Sequence, residues 1–311
     1  MKFLFLMDPL ETVIFEKDTT FMLMLGAHNR GHEVYYLPKD GISAIEGKVH
    51  FHVTKVVPQS IAHMPFKEEH AGYLTQDDIH AVFIRPNPPF DEDYLMLTWA
   101  LELLPKHIPV INSPSGIRTV NEKVWASRFK NITPATIISA NKGDLMDFVA
   151  KHKDVIAKPT NAFGGQSVFH IEKGHSNTPV ILETLSDCYN RSIIVQKYVP
   201  ESKNGDKRIL LLNGNILGAV LRMHGEGEHR NNFFAGGKPM PTTINARDKK
   251  IISTLKPHLQ ALGLYLVGID ILGDYLIEVN VTSPTCLQEM NRLYNLNLEE
   301  KVIAFVEKLV K

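Results

Sequence analysis

Short continuous apolar runs alternate with segments of helical spacing over the first third of the chain. Residues Lys2 to Met7 read as a buried strand that Asp8-Pro9 ends. Asp18-Thr19-Thr20 supplies N-caps for a helix through Phe21, Leu23, Met24, Leu25 and His28, which Gly31 stops. Val34 to Leu37 and Ala81 to Ile84 are further buried strands, and the second runs into Arg85 and the stiff Pro86-Asn87-Pro88-Pro89. A helix from about Asp91 to Leu104 and a strand at Val110-Ile111 follow. Strand, helix, strand in repetition predicts an open α/β sheet with ligands near the carboxyl ends of its strands. Val49 to Val53 alternates with period two, which sets His50 and His52 on a solvated strand face. No third ligand stands near enough in sequence to favour a metal site there.

Asn112-Ser113-Pro114-Ser115-Gly116 reads as a boundary, after which the pattern changes. Asn121-Glu122-Lys123 then begins a helix. A strand at Thr136–Ile138, a helix near Asp144 to His152 and a strand at Val155–Lys158 lead to a glycine loop. Ser167 to Ile171, a helix around Leu182 and Ile193 to Lys197 complete an α+β unit. The last block opens on Arg208 to Leu212, turns at Asn213-Gly214 and returns through Ile216 to Leu221. Asn-Gly between apolar runs is the strongest short hairpin signal. A helix from about Arg247 to Leu262 precedes a second hairpin, Val267–Asp270 to Leu276–Asn280, through Gly273-Asp274.

Composition narrows the classes without naming one. The chain has 311 residues, 44% hydrophobic and 22% charged, enough for two domains or three small ones. Lys plus Arg and Asp plus Glu each number 34, so there is no net charge to attract nucleic acid or an anionic membrane. Two cysteines, Cys188 and Cys286, are too few for a disulfide framework and point to a reducing compartment. The apolar start is cut by Asp8-Pro9, too early for a signal peptide, and no run approaches the roughly 18 apolar residues of a membrane span. A cytoplasmic protein is the expectation.

Four features carry chemistry. Asp270, Glu278 and Asn280 offer hard oxygen ligands suited to Mg²⁺, although an antiparallel hairpin with a polar outer face would also look like this. Lys158-Pro159 precedes Phe163-Gly164-Gly165, where a glycine pair lets backbone N–H groups approach phosphate, or simply makes a turn. Arg208, Arg222 and Arg230 surround the polar loop Met223 to Gly237, fit for an anionic substrate or for a solvated surface. Lys123, at its helix start, reaches a nucleotide phosphate or points into solvent. Gly225-Glu226-Gly227 lacks both the third glycine and the leading strand of a dinucleotide fingerprint.

Taken in order, these pieces resemble the bacterial-type glutathione synthetase family of the ATP-grasp superfamily along nearly the whole chain. The matching residues are Met7-Asp8-Pro9, Arg85 with Pro88-Pro89-Phe90-Asp91, Asn121-Glu122-Lys123, Lys158-Pro159 and Gly164-Gly165. Gly205-Asp206-Lys207-Arg208, Arg222, Glu228, Arg230, Asn232 and Ala235-Gly236-Gly237 follow. The closing run, Val267–Asp270 and Glu278 through Cys286, is the most specific. Pro86-Asn87 stands where the family pattern has a basic-acidic pair, and Ala162-Phe163 where it has small residues or methionine.

The resemblance implies an ATP-grasp fold with an N-terminal open α/β substrate-binding domain over 1–119. A small lid domain over 120–200 and a C-terminal domain over 201–311, with the metal hairpin and a mobile loop, complete it. It implies ATP-dependent joining of γ-glutamylcysteine and glycine through an acyl phosphate, with ATP, Mg²⁺ (or Mn²⁺) and a homotetramer. Lys123, Lys158, Gly164 and Gly165 would hold phosphates. Gln196, Lys197, Tyr198 and Val199 would receive adenine, and Asp206 the ribose. Arg208, Arg222 and Arg230 would steady the acyl phosphate and oxyanion. Arg85, Ser283 and Thr285 would bind substrate, and Asp270, Glu278 and Asn280 the metal. Another carboxylate–amine ligase of this fold, or a non-catalytic nucleotide-binding relative, would share many of these residues. The hairpin poses a conflict of register. A regular two-residue turn at Gly273-Asp274 sets Asp270 opposite Ile277 and turns Glu278 to the other face. Convergence needs a three-residue loop or a bulge. Removing Asp270 or Glu278 is expected to abolish turnover and leave the fold largely intact.

Overall fold

Three sheets, laid out in chain order, carry the molecule, and the computed structural model describes residues 1–161, 165–223 and 237–310. The first sheet contains β1 (Lys2–Leu6), β2 (Glu33–Leu37), β3 (Ile42–Ile45), β4 (Lys48–Pro58), β5 (Phe66–Thr75), β6 (Ala81–Ile84) and β7 (Val110–Ile111). The strand order is β3-β4-β2-β1-β6-β7, with β5 on the other edge of β4. β1, β2, β6 and β7 run parallel, as the buried apolar runs require. Helix α1 (Thr19–Asn29) starts where expected, Asp18 accepting from Phe21 N–H at 2.7 Å. Helix α2 (Glu92–Glu102) is capped in the same way by Asp91.

In β4, Val49, Phe51 and Val53 are buried while His52 is exposed and His50 half-buried. His50 and His52 both pack on Tyr73. The partner strand β5 was not expected. Seven consecutive residues, Lys67 to Tyr73, are exposed, so the strand carries no alternation to read. The segment 112–116, read as a boundary, is itself packed. Asn112 Nδ2 donates to the carbonyls of Leu266 and Val281 at 2.8 and 2.7 Å, and helix α3 (Pro114–Thr119) follows at once.

The second sheet holds β8 (Thr136–Ser139), β9 (Val155–Pro159), β10 (Phe169–Ile171) and β11 (Ile193–Lys197), in the order β10-β9-β11-β8. Helices α4 (Lys142–His152) and α5 (Thr178–Leu185) cover one face. β10 starts two residues later than expected because Ser167 sits in a turn at φ 55°. This unit has its own core of Leu145, Val155, Ala157, Leu182, Ile193 and Val195, among others. The third sheet is β14-β13-β12-β15-β16, built from β12 (Asp206–Leu212), β13 (Asn215–Met223), β14 (Lys238–Met240), β15 (Leu266–Leu272) and β16 (Tyr275–Asn280). Leu212 pairs with Asn215 across the expected Asn213-Gly214 turn, whose residues take φ of 50° and 72°. Helices α6 (Ala246–Ala261), α7 (Leu287–Tyr294) and α8 (Leu298–Val310) complete the chain.

The first and third sheets share two hydrophobic clusters. One joins Leu4, Val82 and Ile84 to Ile209, Ile269 and Val279; the other joins Phe3, Phe5 and Phe21 to Met290, Val302 and Val306. The two ends of the chain thus form one body, and the second sheet stands on it as a separate unit. At the outer seam Arg30 donates to both oxygens of Glu307, at 2.9 and 2.7 Å, and His32 Nε2 lies 2.7 Å away. The Arg30 hydrogen bonds hold the Glu307 carboxyl down at about 2 against an ordinary value of 4.5. A depressed carboxyl pKa contributes stability above the unfolded value, and that contribution is lost as pH falls from about 4.5 through about 2. Glu307→Gln should therefore flatten the acid limb. The wild type is expected to lose about 1–2 kcal/mol more than the variant between pH 5 and pH 2, allowing for partial solvent screening. Denaturant midpoints at the two pH values check this. Among the described residues no helix is long and apolar enough to cross a membrane.

Candidate active site

A cleft of about 460 Å³ opens between the second and third sheets. Its floor is the hairpin β15–β16. Leu272 pairs with Tyr275 and Ile271 with Leu276, so Gly273-Asp274 is a two-residue turn, with Gly273 at φ 52°. The register then shifts, and Asp270 pairs directly with Glu278. Ile277 is the extra residue of a bulge, which resolves the register conflict; the three-residue loop does not form. Leu276 and Val279 bury into the core on one face, while Ile277, Glu278 and Asn280 all line the cleft with Asp270. Asn280 Nδ2 lies 3.4 Å from Asp270 Oδ2.

Four charges are interleaved across the sheet. Arg208 on β12 pairs with Asp270 on β15, and Asp206 on β12 with Arg222 on β13. Arg208 donates Nε and Nη2 to Asp270, the latter at 2.9 Å, and Arg222 reaches Asp270 at 3.0 Å. Arg222 also grips both oxygens of Asp206. Arg208, Arg222 and Asp270 are buried, and Asp206 is half-buried. Burial pushes the Asp270 carboxyl up, but Arg208 and Arg222 outweigh it and hold the group below its usual range. Burial raises the Asp206 carboxyl despite Arg222. Its carboxylate is engaged with Arg222 and also lines the cleft.

From the second sheet, Ile156 and Lys158 face the cleft on alternate positions of β9, while Val155 and Ala157 enter the core. Lys158 is 5% exposed, and its Nζ lies 4.0 Å from Glu278 Oε1. Burial lowers its pKa against the opposing pull of Glu278. Lys123 Nζ approaches the same oxygen at 3.6 Å. Lys123 does not begin an α-helix. Asn121 Oδ1 accepts from the N–H groups of Lys123 and Val124, making a turn before a short 3-10 helix, Trp125–Arg128.

The connecting segment after β11 lines the cleft from Gln196 to Val199. The Lys197 and Tyr198 N–H groups donate to the Ala135 and Asp154 carbonyls, whereas Val199 N–H has no partner among the described residues. Tyr198 stacks on His170 at 4.2 Å. Ile156, Val168, Leu272 and Ile277 give this end of the cleft apolar walls. Gly165 lines the cleft, but Gly164 and Arg230 lie outside the described residues. Ser283 and Thr285 line the opposite end, where Ser283 Oγ donates to Asn87 Oδ1 at 3.0 Å. Arg85 departs from expectation. It is 4% exposed, does not line the cleft, and donates to Thr20 Oγ1 and the Pro284 carbonyl at 3.1 and 3.0 Å. Burial lowers it to about 10. It braces the Ser283–Thr285 segment from behind.

Glu122 was in the motif but had no expected role. Its Oε1 accepts from Val281 N–H, Thr282 N–H and Thr282 Oγ1 at 2.9, 3.2 and 2.9 Å, and its carbonyl from Val279 N–H at 2.9 Å. One residue thus fastens Lys123 to the strand that bears Glu278 and Asn280. Glu122→Ala leaves the Val281 and Thr282 donors unmet, and is expected to cost about 2–3 kcal/mol and raise the KM for ATP. Glu122→Gln keeps an acceptor oxygen and should recover most of the stability. Unfolding midpoints and KM on both variants test the pair, and equal losses in both would refute the fastening role.

The donor set fits a hard divalent cation. Two carboxylates stand opposite each other, and Asn280 Oδ1 has no partner among the described residues. Lysines beside them suit phosphate, and the apolar end suits a flat ring.

Lysines and paired carboxylates in a cleft between two antiparallel sheets are the arrangement of an ATP-grasp ligase. Solved structures agree on the fold: a D-cycloserine synthetase superposes with TM-score 0.69 at 13% identity over 99% of both chains. A RiPP-associated ATP-grasp ligase from Chryseobacterium gregarium does so with TM-score 0.65 at 16% identity, over 99% of this chain and 97% of its own. Family models for the prokaryotic glutathione synthetase N-terminal domain and ATP-grasp domain match residues 1–118 and 122–295. The glutathione synthetases of Synechocystis sp. and Vibrio cholerae are 38% and 35% identical, covering 99% and 98% of this chain and 99% and 96% of theirs. The chain belongs to the prokaryotic glutathione synthetase family, whose members are ATP-dependent carbon–nitrogen ligases.

Proposed function

We propose that this cleft makes glutathione from γ-glutamylcysteine, glycine and ATP, with each charged residue in a separable role. The supporting observation is the convergence of Asp270, Glu278 and Asn280 with Arg208, Arg222, Lys123 and Lys158 at one point. Adenine lies between the apolar walls, its edge on Val199 N–H, with Gln196 to Tyr198 framing it. The phosphates run toward Lys123, Lys158 and Gly165. Asp270, Glu278 and Asn280 would hold a divalent metal, Mg²⁺ in this reading with Mn²⁺ as substitute, which would neutralise phosphate charge when bound. The two lysines leave Glu278 for phosphate oxygens as the nucleotide enters, because phosphate offers each the stronger anion.

The cysteinyl carboxylate of the dipeptide attacks the γ-phosphorus and ADP departs, leaving an acyl phosphate. The glycine amine then attacks the acyl carbon, and inorganic phosphate leaves. Arg208 and Arg222 face the oxygen that becomes negative in that second step. They are preorganised by the carboxylates that already hold them. Ser283 and Thr285 bind the dipeptide, with Arg85 supporting them from behind and not contacting it. Arg230 completes the anion site by family resemblance. The second sheet, with its separate core, moves as a unit to shut out water, which would hydrolyse the intermediate. The division into 1–119, 120–200 and 201–311, a homotetramer and a cytoplasmic location belong to the same reading.

Phosphate release from ATP with γ-glutamylcysteine, with and without glycine, tests it. Release matched one-to-one by glutathione, and needing glycine and a divalent cation, is expected. Absence of glutathione from folded protein with all three substrates overturns it.

A further inference from the structure

Tyr198 stands where the chain passes from the second sheet to the third, and it is fixed from three sides. Its N–H donates to the Asp154 carbonyl at 2.9 Å, and Ser202 Oγ, on the short 3-10 helix Pro200–Asn204, donates to its hydroxyl at 3.0 Å. Its ring stacks on His170 with centroids 4.2 Å and planes 25° apart. Asp154 acts a second time here, since its Oδ1 lies 2.6 Å from His170 Nε2. One residue thus holds the backbone of the tyrosine and also the ring against which the tyrosine lies. The register of the sheet causes the meeting. His170 pairs with Ile156 across β10 and β9, and Ile156 with Gln196 across β9 and β11, so these three side chains share the cleft face. Asp154 stands just before β9 and Tyr198 just after β11, at the end of the same ladder. The Asp154 side chain is 50% exposed, so the pair supplies direction more than energy. Tyr198 does not join the core of the second sheet, and both rings are half-buried at its edge. The stack is therefore not what folds that unit.

We propose that His170, aimed by Asp154, is a positioning residue for the nucleotide base, holding Tyr198 and through it the Val199 N–H where adenine meets them. The inference rests on reading the apolar end of the cleft as the adenine site. The peptide between Tyr198 and Val199 carries the N–H that adenine takes. With the Tyr198 N–H bonded on one side and its ring pinned on the other, that peptide is set before the nucleotide arrives, and binding does not have to order it. At the phosphate end, Lys158 pairs with Glu278 and Arg208 with Asp270. The influence of His170 should thus reach affinity for the base and spare phosphoryl transfer.

The test combines calorimetric titration of ADP with steady-state kinetics, both on the full-length chain. His170→Ala should weaken ADP roughly tenfold, the scale of one lost aromatic stack, and raise the KM for ATP by the same factor. Its kcat should stay within about twofold, with the KM values for γ-glutamylcysteine and glycine unmoved. His170→Arg should recover most of the affinity, because a guanidinium stacks on a tyrosine and pairs with a carboxylate at once. Asp154→Ala keeps the backbone carbonyl and should weaken ADP by only about threefold. Combining it with His170→Ala should do no more than His170→Ala alone, since the carboxylate acts through the imidazole. Unchanged ADP affinity in His170→Ala overturns the proposal. So does a fall in kcat joined to a rise in every KM, which would make His170 a support of the second sheet as a whole. Additive losses in the double variant overturn the part given to Asp154. A wild type that does not bind ADP would instead count against the nucleotide reading of the cleft.

Discussion

Glu278→Gln is expected to lower turnover about a thousandfold while leaving the unfolding midpoint nearly unchanged. Among the described residues Glu278 is held only by Lys123 and Lys158, at 3.6 and 4.0 Å, its side chain is 23% exposed, and no backbone group depends on it. The amide keeps the volume and removes the charge, so the loss falls on the metal and on the phosphates it would neutralise. A second readout separates this from a general weakening of the cleft. In metal-free buffer the variant should bind ADP at least as tightly as the wild type, because the two lysines no longer have a carboxylate competing for them. The tightening that Mg²⁺ or Mn²⁺ brings to the wild type should disappear. Calorimetric titration of ADP with and without the cation measures both. Near-normal turnover, or an intact metal-dependent gain, would remove Glu278 from the metal set.

The fold and the site were legible to different depths, for identifiable reasons. β1 and β6 announce themselves as unbroken apolar runs because both faces are covered, and β4 announces itself by alternation because one face is not. β5 shows neither pattern, since almost all of it is exposed. Leu298, Val302, Ile303 and Val306 carry plain helical spacing, so α8 was within reach of periodicity. The site residues were legible by type and order, but not their partners. Nothing local distinguishes an arginine braced behind a loop, as Arg85 is, from one that faces the cleft. Asp206 likewise is two positions from Arg208, and only the β12–β13 register shows that Arg222 engages it. The Ile277 bulge was legible by contradiction. Turn chemistry at Gly273-Asp274 and metal chemistry at Asp270 and Glu278 cannot both hold without one extra residue, and the chain supplies it.

Asp270→Ala should behave unlike any change at Glu278, and the expectation that both carboxylates are structurally dispensable needs revision. Asp270 is 5% exposed and accepts from Arg208 and Arg222, which are each 6% exposed. Its removal abolishes turnover and also leaves excess positive charge in the sheet, with only Asp206 among the described residues paired to either guanidinium. Breaking a buried pair from one side costs about 3–5 kcal/mol, because the remaining ion keeps its desolvation penalty and loses its counter-charge. The variant should therefore unfold at clearly lower denaturant than Glu278→Ala, and both should be inactive. A compensating change identifies the cause. Replacing Arg208 by Met together with Asp270 by Leu removes one charge of each sign, leaves Arg222 with Asp206, and fills the space with apolar atoms. That pair should regain most of the stability and none of the activity. Equal denaturant midpoints for Asp270→Ala and Glu278→Ala would show that the buried network is not what holds the β12–β15 seam. Recovery of stability without turnover would show that one carboxylate serves the packing of the arginines in the resting protein and the chemistry once nucleotide arrives.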